Sequence, residues 1–320
     1  MSDVYAGGEP VADVVRSGFV ESRHTGSVVA LGPDGEVAAW AGDVLGAIFP
    51  RSANKPLQAV GMLRAGLDLA PAELALVTAS HRGQPFHIQA VLAMLRASGL
   101  GVDDLGCPLD YPLSDEAREA VIRAGGTRSR EYMNCSGKHA GMLRTCLVSG
   151  WPTAGYLAPE HPLQQRIQAT FEELTGEPAV AVGVDGCGAP VLSTSLRGLA
   201  AAYMRLVDAE PGTAERAVAD AMLAHPEMVS GTDTDGHDTH LMRGLPGFVA
   251  KGGAEGVIAV AAAGRGAVAL KVDDGSTRAR LPVLVSALNR LGVSGDVLTR
   301  YSRMPVLGGG HPVGEVVATW

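Results

Sequence analysis

The chain has 320 residues, 46% of them hydrophobic, and a formal charge of −8. That content is ample for a packed core, and an acidic balance without a cluster of basic residues argues against a nucleic-acid or anionic-membrane surface. The first residues include early acids and no apolar signal segment, and the longest apolar run, GVIAVAAAGRGAVALKV, is interrupted by Arg265. The expectation is a cytoplasmic protein that engages no nucleic acid and no membrane and takes a small molecule as its partner.

In chain order, two β-rich runs around Pro-Asp-Gly between Ser27 and Gly42 predict a hairpin. Apolar residues at 3.6-residue spacing then predict helices over Pro56–Leu69, Phe86–Ser98, Asp115–Ala124, His139–Leu147, Leu163–Leu174, Val191–Val207 and Ala214–Ala224. GVIAVAAAG and GAVALKVDDG predict a second hairpin, Thr277–Leu291 a further helix, and GEVVATW a last strand. Strands cluster at both ends, so the simplest arrangement is α+β: an antiparallel sheet built from N- and C-terminal segments, about 15–45 and 245–320, with a helical region of about 50–240 inserted. The whole of 1–320 would then be one catalytic unit, with its ligand site in the cleft between the two parts.

Of the 26 basic residues only Lys55, Lys138, Lys251 and Lys271 are lysines. A chain that prefers arginine this strongly should keep lysine where a guanidinium cannot serve, as in giving up a proton. Ser52-Ala53-Asn54-Lys55 is followed by Pro56, which is tolerated only in a first helical turn and so puts Ser52 and Lys55 at a helix start. There Ser52 sits beside free backbone N–H groups suited to an oxyanion, and a neutral Lys55 can take its proton. The same four residues also read as a helix cap and a surface charge.

MNCSGKHAGML sets Cys135, Lys138 and His139 in a tight turn before a helix, and GVDGCGAP sets Asp185 and Cys187 among glycines. Four cysteines (Cys107, Cys135, Cys146, Cys187) in such a chain do not suggest a disulfide framework. Cys135 and Cys187 suit a metal site or a backbone packed close to a ligand, and equally a pair of small buried residues; Cys146 reads as core. TASHRGQPFH places Ser80, His81 and Arg82 at a turn, and AKGGAEG places Lys251 before two glycines at the entrance to an edge strand. Glu255 is a candidate partner for a lysine, and Lys271 reads as a solvated strand charge. Nucleotide-binding, dinucleotide-binding and α/β-hydrolase signatures are absent.

Taken in order, FVESRHTG, PRSANKPLQ, ASHRGQPFH, MNCSGKHAGML, GVDGCGAPVL, AHPEMVSGT and VAKGGAEGV resemble the thermolabile L-asparaginase II family of amidohydrolases over about residues 15–275. The resemblance implies a fold related to serine β-lactamases, penicillin-binding proteins and β-lactamase-like glutaminases, a homodimer, and hydrolysis of the side-chain amide of L-asparagine. It implies Ser52 as nucleophile with Lys55 as its base, Ser80 and Lys251 as a second Ser-Lys pair, and Cys135, Lys138 and Cys187 as ligands of a zinc ion. Arg51, Asp185, His139 and Gly252 would face the substrate. Two segments depart from the family pattern, 106–117 and 231–240, the second replacing a shorter loop that usually carries an arginine. The alternatives are a Ser-Lys hydrolase of another amide, such as glutamine or a β-lactam, and a zinc-stabilised binding protein without turnover.

Overall fold

The computed structural model describes residues 4–320. Strands β1 (Glu9–Arg16), β2 (Phe19–Leu31) and β3 (Val37–Ala41) open the chain. Helices α1 (Lys55–Arg64), α2 (Pro71–Val77), α3 (Pro85–Ala97), α4 (Asp115–Arg123), α5 (Ser136–Val148) and α6 (Pro162–Thr175) follow. A short ribbon of β4 (Val182–Val184) and β5 (Pro190–Leu192) leads to α7 (Leu196–Val207), α8 (Ala214–Ala224), α9 (Pro226–Ser230) and α10 (His237–Gly244). The chain then returns through β6 (Val249–Gly252), β7 (Val257–Ala262), β8 (Gly266–Val272), α11 (Arg280–Arg290), α12 (Asp296–Tyr301), β9 (Arg303–Gly308) and β10 (His311–Ala318).

The sheet runs β6-β7-β8-β2-β1-β10-β9 with every pairing antiparallel, so both ends of the chain do build one sheet around a helical insertion. The long β2 is shared: its first half pairs with β1, and its second half pairs with β3 on that side and β8 on the other. The hairpin expected over Ser27–Gly42 is β2–β3, with Val28 opposite Ala41, and the second hairpin is β7–β8. Nearly every side chain of β7 and β8 is buried, as in strands covered on both faces, and α7 and α11 pack against them.

The differences from expectation have local causes. The sheet begins earlier, at Glu9, because β1 fills the place between β2 and β10. The helix expected to reach Leu69 ends at Arg64, before Gly66 turns the chain at φ 96°. The helix expected over Val191–Val207 starts only at Leu196: Ser195 caps it by accepting the Gly198 N–H, which leaves Val191 and Leu192 to β5. The helix expected from His139 starts at Ser136, one residue after Cys135. Among the described residues, no helix is long and apolar enough to cross a membrane.

Candidate active site

Arg51 adopts φ 52°, the left-handed region that a non-glycine residue occupies at a cost, and starts a 3-10 turn over Arg51–Asn54 that runs directly into α1 with Pro56 in its first turn. With three residues per 3-10 turn, Ser52 and Lys55 share a face. The turn is held from two sides. Tyr203 on α7 donates its hydroxyl proton to the Ala53 carbonyl at 2.7 Å, and Gly253 just after β6 lies so close that a Cβ there would sit 2.5 Å from the Pro50 oxygen.

Lys55 is wholly buried and its ammonium donates to the Ala79 carbonyl at 2.5 Å and to Ser80 Oγ at 3.1 Å. Ser80 follows α2 in a loop fixed by its own N–H to Val229 O (3.1 Å) and by His81 N–H to Asn134 O (3.0 Å). The buried His81 ring donates from Nε2 to Ser136 Oγ at 2.7 Å, since Ser136 itself donates to Glu131 O, and accepts the Gly83 N–H at Nδ1. That clamp ties the Ser80 loop to the start of α5. Gly137 and Gly141, one turn apart on α5, bring the helix against α2: a Cβ on Gly137 would lie 2.6 Å from Leu76 O.

The hydrogen-bonded partners differ from the Ser52–Lys55 and Ser80–Lys251 pairs that the resemblance implies. The hydrogen bond on Ser80 comes from Lys55, whereas Lys251 on β6 donates to Asp238 Oδ2 at 2.9 Å and to the Gly252 carbonyl at 2.7 Å. The reason is charge: a buried ammonium finds a buried carboxylate before a neutral hydroxyl. Burial pushes the Lys251 ammonium below its usual range, Asp238 opposes that, and Lys55 and Arg280 add to it, so the two lysines share one electrostatic neighbourhood. Gly252 spends both polar groups locally, its N–H on Asp238 Oδ1 and its carbonyl on Lys251.

A second group lies alongside. Lys138 donates to Cys187 Sγ at 3.2 Å, Cys135 lies beside Cys187, and His139 Nδ1 bonds the Tyr156 hydroxyl at 2.6 Å while its buried Nε2 has no partner. The bond from Cys187 is the main force drawing the Cys135 thiol down to about 5, against the effect of burial and with Lys55 and Lys138 adding to it. Burial lowers the Lys138 ammonium, but the two thiols and Asp185 outweigh it and hold it above its usual range. Arg51 bonds Asp185 at 2.7 Å, and Asp185 is held below the usual carboxylate range because Lys138 and Arg51 outweigh its burial. Glu255, expected beside a lysine, sends its carboxylate to Arg51 at 3.6 Å and only its backbone carbonyl to Lys271.

Two adjacent thiols and an unpartnered imidazole nitrogen are donors that suit a soft divalent ion such as zinc, and Lys138, held here as an ammonium, would have to lose its proton to join them. Among the described residues no group of three or more His, Cys, Asp and Glu side chains is placed to hold a metal. The expected set of Cys135, Lys138 and Cys187 has two such residues, the third being the lysine. All four cysteines are free and buried. Burial raises the Cys107 and Cys146 thiols to about 11, so neither is a reactive thiolate.

Sequence reasoning missed Asp238, Arg280 and Tyr203. Asp238 stands in GHDTH, which reads as an acidic loop and is in fact the first turn of α10. Arg280 and Tyr203 sit in apolar-patterned helices and reach the site only through tertiary packing, Arg280 by donating to Gly253 O and Val257 O. A lysine predicted to be buried implies a carboxylate somewhere, but no spacing says where.

A serine three residues before a buried lysine, a second serine on that lysine's Nζ, and a second buried lysine, Lys251, are groups of the kind that acyl transfer uses. The chain belongs to the L-asparaginase II family, whose model matches residues 12–318, beyond the 15–275 over which the motifs are recognisable. Direct comparison with curated proteins gives no match. Among solved structures the chain is similar to Mglu in its native form in 4.3 M NaCl, with 13% identity and a TM-score of 0.43, over 82% of this chain and 60% of Mglu. It is also similar to a β-lactamase from Mycobacterium bovis, with 17% identity and a TM-score of 0.33 over 78% of this chain and 88% of that one. A β-lactamase from Burkholderia vietnamiensis shows 15% identity and a TM-score of 0.36 over 84% and 92%.

Proposed function

We propose that the protein hydrolyses the side-chain amide of L-asparagine to L-aspartate and ammonia through an acyl-enzyme on Ser52. The observation that carries this reading, given the family, is the fully buried Lys55 Nζ within hydrogen-bond distance of Ser80 Oγ, one 3-10 turn after Ser52. An amide needs an activated alkoxide, a stabilised oxyanion and an acid for departing ammonia. Ser52 Oγ would attack the amide carbon as its proton passes to Lys55 in the amine form, with Ser80 as the relay between Lys55 and the departing nitrogen. The C–N bond breaks, that proton leaves as part of ammonia, and water then releases aspartate by the same route. Lys251 would act as a cationic donor, while Arg51, Asp185, His139 and Gly252 would line the substrate position.

Cys135, Lys138 and Cys187 would hold zinc, which when bound supplies a fixed positive charge for orienting the substrate. Four free cysteines support a cytoplasmic setting, and a homodimer is proposed from family membership. The test is ammonia release by purified, zinc-assayed protein from asparagine, glutamine and a β-lactam. Release from asparagine, lost in Ser52→Ala, is expected. Turnover of another amide alone would change the substrate, and ligand binding without any turnover, unaltered in Ser52→Ala, would replace the enzyme with a binding protein.

A further inference from the structure

Asp238 is 4% exposed and Lys251 is 1% exposed. The carboxylate uses one oxygen on the Lys251 ammonium at 2.9 Å and the other on the Gly252 amide at 2.9 Å, so α10 grips two consecutive residues of the edge strand β6 with one side chain. Lys251 sends a second N–H to the Gly252 carbonyl at 2.7 Å. An ammonium has three donors, so one remains for a substrate. We propose that Asp238 is a positioning residue of this site: it keeps Lys251 an ammonium and aims its remaining N–H, so that Lys251 donates charge and Lys55 is left as the group that accepts the nucleophile's proton.

The inference rests on the amide-hydrolysing role proposed above, and its support is the arrangement of charge around Lys251. Asp238 faces Lys251 from α10, Lys55 from α1 and Arg280 from α11; burial, Arg280 and, whenever it carries a proton, Lys55 pull the Lys251 proton off, and the carboxylate is what opposes them. Asp238 itself stays ionised, because Lys251 and Arg280 and its bonds to Lys251 and Gly252 outweigh its burial. A neutral Lys251 would leave this carboxylate facing a bare amine, and one cation fewer where an oxyanion must be held. The proton inventory also closes: Ser52's proton travels through Lys55 to the departing nitrogen, and Lys251 gains and loses none.

The chain's four lysines make the test direct. With lysine labelled by carbon-13 at Cε, the spectrum holds four signals, and Lys251→Met identifies one of them. In the parent protein the Lys251 signal is expected at its ammonium position throughout the pH range of activity; a signal already at the amine position there overturns the proposal without any variant. In Asp238→Asn the Lys251 midpoint is expected to fall by about one pH unit or more. In the same variant kcat is expected to fall about 100-fold with KM within about threefold, the loss typical of a transition-state donor. An unmoved midpoint with kcat within about twofold overturns it. The spectrum needs no substrate, so failure of the parent to release ammonia from asparagine would strike the reaction proposed above, while the Lys251 midpoint would still decide the role of Asp238.

Discussion

Lys55 occupies a slot with no exposed surface, bounded by a carbonyl and a hydroxyl oxygen. Arginine there would keep the charge and cannot lose it, so Lys55→Arg is expected to reduce kcat by about 10²–10⁴, the range of a lost general base. Lys271→Arg, on β8 and partly exposed, is expected to leave kcat unchanged. Steady-state ammonia release measures both, and near-normal turnover in Lys55→Arg would remove Lys55 from the proposed role. The same scale shows what the lysine count could say. Lys55, Lys138 and Lys251 are each at most 1% exposed, as expected of lysines kept for a purpose, and Lys271 is the one left nearer solvent. Which acceptor each would choose was not readable, because Ser80 and Asp238 compete for an ammonium only once α2, α10 and β6 have been folded against one another.

At the scale of elements, the site depends on how closely the β6–β7 connection approaches the 3-10 turn that carries Ser52. Gly253→Ala would press a methyl against the Pro50 oxygen, backbone on backbone, with Ala53 N at 3.2 Å and Ser52 N at 3.4 Å. The expected cost is about 1–3 kcal/mol of stability, with a larger proportional loss of kcat because the displaced backbone is the one that positions Ser52. Thermal melting alongside kinetics checks this; a kcat that falls no more than stability predicts would mean that the approach is packing alone. Element boundaries were legible where punctuation was local, as at Pro56 in the first turn of α1 and at the Pro-Asp-Gly turn between β2 and β3. They failed at Val191–Val207, where a β-strand, a capping serine and a helix share one apolar pattern, and at GHDTH, where an acidic look hid a helix start.

For the molecule as a whole, two buried histidines between α2, α3 and α5 set an acid limit. His81 and His87 stack with ring centroids 5.2 Å apart, and His87 donates from Nε2 to Glu227 O while its Nδ1 has no partner. Burial pushes His87 from 6.5 to about 4, and His81 well below its ordinary value. Between those values the unfolded chain binds more protons than the folded one, so this stabilisation is complete above about pH 6.5 and is lost as the pH falls towards 4. For His87 it amounts to about 3 kcal/mol. Urea unfolding from pH 7 to 4.5 should show that decline, and His87→Gln, which keeps a donor for Glu227, should flatten it; an identical slope in both proteins would refute the assignment. By itself the sequence determined the α+β class, the Ser, Lys, Cys and Gly motifs and their order, because hydrophobic period, turn residues and short motifs are local properties of a chain. The tertiary structure alone decided that Lys55 reaches Ser80, that Lys251 answers to Asp238, and that Tyr203, Arg280 and Gly253 shape the site. Those contacts join residues 13 to 203 positions apart, and only the closed sheet and its packed helices bring them together.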